Sequence, residues 1–172
     1  MMFNLGIFII FLYCYLYNMD PFVLKNMTFG VEDSVISISG ALLGINAANL
    51  KNNEIVISGF IVILVGALSM MYGAFVSDSA FLKSSKEDIS IFKVIYYSLV
   101  MFVSYFSVGM LLLSPFYLNL KNPSLYVLTY ASIILMMLLY NNERDIVKTI
   151  AIFCVGMSLL FGSIYIGDKI KL

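Results

Sequence analysis

Residues 55–76 run for 22 positions without one charged side chain. As an α-helix this stretch reaches about 33 Å, enough to cross the roughly 30 Å hydrocarbon core of a bilayer. Such a run is either a fully buried core helix or a membrane span, and composition decides between them. Of the 172 residues 62% are hydrophobic and only 12% are charged. A soluble domain carries about a quarter charged residues to wet its surface, so the solvent for most of this surface is lipid.

Other segments repeat the pattern. Residues 27–50 are apolar or small, interrupted by Glu32 and Asp33, and are long enough to span. Residues 89–118 are apolar apart from Lys93, which can snorkel from near the helix end, with Pro115 marking a kink or an approaching end. Residues 125–140 form a shorter run and 146–166 the last one. Polar connections separate them at 51–54, 77–88, 119–124 and 141–145. In hydrocarbon every backbone group must be satisfied within its own segment or a closed barrel, and nothing here alternates with period two. The expected fold is therefore all-α: a polytopic membrane helical bundle of five core transmembrane helices. Residues 1–17 are apolar but short, and fit an extra membrane helix, an interfacial helix or an uncleaved signal-anchor. The organisation expected is an N-terminal apolar segment and linker over 1–26, then a membrane domain over 27–168.

Lys25, Lys83, Lys86, Lys93, Arg144 and Lys148 fall on one side of this arrangement, and Lys51, Lys121, Lys169 and Lys171 on the other. The excess favours a cytoplasmic 77–90 loop. Net charge is zero and no basic run is dense enough for nucleic acid. Histidine is absent, and no Ser or Cys has a base beside it, so an enzyme is not expected. Cys14 and Cys154 lie far apart in apolar stretches, as small packing residues. Metal chemistry, if present, must use carboxylate, thioether, hydroxyl or carbonyl groups.

Helical periodicity exposes two stripes. Asp33, Ser37, Gly40, Gly44 and Ala48 share a face of the first main span, and Gly59, Ile63, Gly66, Met70, Gly73 and Ser77 share a face of the second. Small stripes let helix backbones approach closely in lipid, so Gly40, Gly44, Gly59, Gly66 and Gly73 are expected packing positions. An acid within a span costs about 2.5–3.5 kcal/mol on insertion scales and so usually faces the bundle interior. Asp33 either does this or sits at the water boundary as a helix cap. Glu32 is rotated by about 100° from it. Met70 adds a soft thioether to a hard carboxylate, a pair better suited to a borderline first-row cation than to Mg²⁺ or Ca²⁺. Ser37, Ser69, Asp78, Glu87, Asp88 and Glu32 itself are secondary candidates, with Asp78, Glu87 and Asp88 read as acids of the 77–88 loop.

The segments GVEDS at 30–34, GALLG at 40–44 and GALSMMYGAFVS at 66–77 together resemble the vacuolar iron transporter family. That family's pattern has a Gly-x-x-Asp-Gly start, a small-residue first helix, and Gly-Ala-x-Ser-Met-x-x-Gly in the second. Ser107, Gly109 and Pro115 are similar to its third-helix pattern, and Gly156, Gly162 and Gly167 to its glycine-rich last helix. The resemblance covers about residues 27–168. It implies five helices per subunit in a homodimer. It further implies that Fe²⁺ or Mn²⁺ leaves the cytosol in exchange for protons along a path between subunits, with Asp33 and Met70 lining it. No permanently bound cofactor is expected; the metal is cargo. Three positions depart from the family: Val62 and Ala74 stand where carboxylates are frequent, and Ser34 where Gly is usual. The Glu-rich cytoplasmic domain that many members insert between the second and third helices is absent, and only the 77–88 loop stands there.

Overall fold

The computed structural model describes residues 20–85, 90–142 and 146–170. These form five helices: α1 (Pro21–Ala47), α2 (Asn52–Ser85), α3 (Ile91–Tyr117), α4 (Pro123–Asn142) and α5 (Ile146–Ile170). By length and composition α1, α2, α3 and the Phe153–Ile170 part of α5 can cross a membrane, and α4 is a shorter apolar helix. The chain is an all-α membrane helical bundle. The candidate N-terminal helix at 1–17 lies outside the described residues.

Two boundaries differ from expectation. α1 starts at Pro21, not near 27, because Asp20 caps it: its carboxylate accepts from the Phe22 backbone N–H at 2.9 Å, and Pro21 occupies a first-turn position where no N–H is needed. α2 continues past 76 to Ser85, so the expected loop at 77–88 is helical over most of its length. Hydropathy falls there, but Asp78 finds its partners on α1, as described below, and Ser84 donates to the Phe81 carbonyl of its own helix. Tight connections use Asn49, Asn119 and Asn122, all with left-handed backbones that asparagine tolerates.

Contacts between helices keep a constant register, and that fixes direction. Asn26, Gly30 and Ser34 meet Tyr97, Met101 and Tyr105 in turn, so α1 and α3 are parallel. Gly59 faces Leu113, Ile63 faces Gly109 and Gly66 faces Tyr105, so α2 and α3 are antiparallel. Gly40 meets Ser163 and Gly44 meets Gly167, which makes α5 parallel to α1. α1 touches every other helix. Its Val35, Ile38, Leu42 and Leu43 form the core with Ile55 and Ile63 of α2, Leu112 and Phe116 of α3, Val127 of α4 and Leu160 of α5. Outward faces stay apolar, notably Ile57, Ile61, Val65 and Leu68 of α2, as a lipid-facing surface requires.

Candidate functional site

Asp33 lies twelve residues into α1, about 18 Å along its axis from Pro21. It is half-buried, as is Glu32. The capping alternative for Asp33 is therefore excluded: Asp20 is the cap. One turn on, Ser37 Oγ donates to the Asp33 carbonyl at 2.6 Å and lies 3.0 Å from the Tyr105 hydroxyl. Tyr105 comes from α3 and reaches this point because Gly66 of α2 has no side chain; a Cβ there would meet the phenol ring and its oxygen. Ser34 is fully buried and donates to the Tyr105 carbonyl at 2.9 Å, giving its hydroxyl a job that a glycine could not do.

The antiparallel register sets depth. Leu42 meets Gly59 toward one end and Asn26 meets Asp78 toward the other, so Met70 stands level with Asp33. Met70 is half-buried against the core cluster. The two lie on different helices at one depth, with Tyr105 reaching the same layer from a third. Ser69 and Ser77 are exposed, and a Cβ at Gly73 would meet nothing within 4 Å, so Gly73 is not a packing position of this bundle. The inner face of α2 instead continues through Ala67, Ala74, Asp78 and Leu82. Gly40 and Gly44 do pack, against α5 and not α2. Val62 is exposed and Ala74 buried, and neither side chain has an oxygen to offer a metal.

Asp78 is not a loop acid. It belongs to α2, is 1% exposed, and holds the Lys25 ammonium on one carboxylate oxygen. Its other oxygen accepts from Asn26 Nδ2 at 2.8 Å, and the same amide donates to the Tyr97 carbonyl at 3.2 Å. Tyr97 Oη donates to Asp20 at 2.8 Å, and its ring stacks on Phe22 at 5.3 Å. Lys25, Asn26, Tyr97 and Tyr105 were not singled out by sequence reasoning. The signal was there for Asn26, since Asn26, Gly30 and Ser34 recur every fourth residue on α1. Glu87 and Asp88 lie outside the described residues. Among the described residues no group of three carboxylate, Cys or His side chains could hold a metal. Any ion at the Asp33 layer must draw on sparse donors.

A family model described as the VIT family matches residues 24–93, covering α1 from its first turn, all of α2 and the start of α3. No curated protein and no solved structure matches the chain. The matched stretch is less than half of the chain; it holds Asp33, Met70, Gly66 and the Lys25–Asp78 pair, and over it the chain is similar to the VIT family.

Proposed function

We propose that this protein carries a divalent first-row cation, Fe²⁺ or Mn²⁺, across a membrane through the layer defined by Asp33 and Met70. The match to the VIT family model over residues 24–93 supports metal-ion transport in a membrane. The observation that carries the finer reading is a half-buried carboxylate in mid-α1 at the depth of a thioether on α2. A carboxylate at such depth is expensive unless it serves a polar path. Binding must also be weak enough to release cargo, and a donor set this small suits that need. In this reading two copies of the chain pair so that each contributes Asp33 and Met70, and the ion leaves the cytosol with proton exchange as the coupling. The membrane is the cell membrane in a prokaryote or a vacuolar-type membrane in a eukaryote.

Replacing Asp33 by Ala should abolish Mn²⁺ or Fe²⁺ flux into proteoliposomes while the protein keeps its oligomeric state. Flux equal to that of the unmodified protein would reject the site.

A second reading, a non-transporting membrane subunit that binds partner helices, draws on Val62 and Ala74 standing where carboxylates are frequent. It predicts no metal-dependent stabilisation of the purified protein and copurification with one stoichiometric partner.

A further inference from the structure

At the Pro21 end of the bundle, Asp78 is held asymmetrically. Asn26 Nδ2 fixes one carboxylate oxygen and is itself anchored to the Tyr97 carbonyl, and all three residues are buried. The other oxygen holds the Lys25 ammonium, whose side chain is 54% exposed. The anion is rigid and dry. Its cation arrives on a flexible stem from the water side. A buried carboxylate left without any cation is unfavourable, so Lys25 leaves seldom unless another cation takes its place.

A second oxygen waits nearby. Asn26 Oδ1 is buried and has no donor among the described residues. The amide presents its nitrogen to Asp78 in this state, and rotating it would offer the oxygen instead to a cation beside the carboxylate. Carboxylate and amide oxygens are ligands that hard and borderline divalent ions accept. The position also fits a route. Asn26 is two turns from Asp33 on the same face of α1, and Asp78 is two turns beyond Met70 on α2. Both steps lead from the Asp33 layer to the same end of the bundle.

We propose that Asp78 is a cation seat at the entrance to this bundle, filled in the present structure by Lys25, and that an incoming divalent cation exchanges with the Lys25 ammonium there. Lys25 is thus a tethered competitor that keeps the entrance charge-balanced between ions. This extends the transport reading above and names a second site for the same cargo.

The test reads the amine itself in the unmodified, full-length protein. Lys25 acylation by an amine-reactive reagent is followed by mass spectrometry with and without Mn²⁺, the other lysines serving as internal controls. Asp78→Asn, which frees the amine, sets the upper limit. That limit should lie about tenfold above the unmodified protein without Mn²⁺, the ratio held back by a pair worth about 1.4 kcal/mol. Saturating Mn²⁺ should raise the unmodified protein's Lys25 rate toward that limit and leave the control lysines unchanged. A Lys25 rate indifferent to Mn²⁺ would overturn the proposal. The same measurement in Asp33→Ala separates the two readings. A persisting Mn²⁺ effect there means that the seat at Asp78 stands even if Asp33 proves dispensable for flux. An effect that vanishes means that the ion acts at Asp33 alone, and the seat at Asp78 is rejected.

Discussion

At Gly167 the backbone carbonyl of Gly44 occupies the space that a side chain would need, with Ala47 close behind. Backbone cannot step aside as a flexible side chain can. Gly167→Ala must therefore push α5 off α1, at a cost of about 1–3 kcal/mol. Gly73→Ala meets nothing within 4 Å and should stay within about 0.5 kcal/mol of the parent. Unfolding titrations of both variants in mixed micelles check the contrast, and equal effects would refute this account of the α1–α5 contact. Both glycines belong to sequence patterns that look alike. Spacing reveals that a stripe is small, but not which neighbour, if any, closes on it. Gly40 and Gly44 read as a packing stripe and are one; their partner, α5, is more than a hundred residues away.

Among the elements, α1 and α3 are joined by a ladder whose steps differ in chemistry. Asn26 reaches the Tyr97 carbonyl, Gly30 lies against Met101, and Ser34 reaches the Tyr105 carbonyl. Ser34→Ala removes one donor to a carbonyl that belongs to a helix, and should cost about 0.6 kcal/mol, the usual size of an interhelical bond in a membrane bundle. Asn26→Ala strips a buried carboxylate oxygen of its donor and should cost more, about 1–3 kcal/mol. The same unfolding titration ranks the two, and a larger loss for Ser34→Ala would contradict the ladder as described.

The spans themselves were legible because lipid imposes length and hydropathy on every helix. Their ends were not. Residues 77–85 look like loop because a window of neighbours cannot know that Asp78 meets Lys25 and Asn26 from another helix. The start of α1 was missed for the same reason: the residues before 27 read as linker, although Asp20 and Pro21 begin the helix. Asp33 and Met70 were each legible as a member of a helical stripe. That they share a depth follows only from the register of α1 against α2.

For the whole molecule, α1, α3 and α5 run one way and α2 the other, so Ser84 and Asn49 mark opposite ends of α2 and opposite faces of the membrane. With Cys14 and Cys154 replaced, Ser84→Cys and Asn49→Cys should differ in labelling by an impermeant maleimide. One should react in intact cells, the other only after permeabilisation. Labelling of both without permeabilisation would contradict the membrane placement of α2.

The two ends are also fastened by different means. Near Pro21 the helices are tied by Lys25 to Asp78 and by Tyr97 to Asp20, both through carboxylates. At the opposite end Asn46 bonds Ser124 and Asn52 bonds Asn119, both between uncharged groups. Coulomb attraction between whole charges acts over a longer range than the pull of amide or hydroxyl dipoles. The two kinds of fastening therefore answer to different conditions: dissolved salt reaches the carboxylate tie through the half-exposed Lys25 ammonium and leaves the amide and hydroxyl ties unmoved.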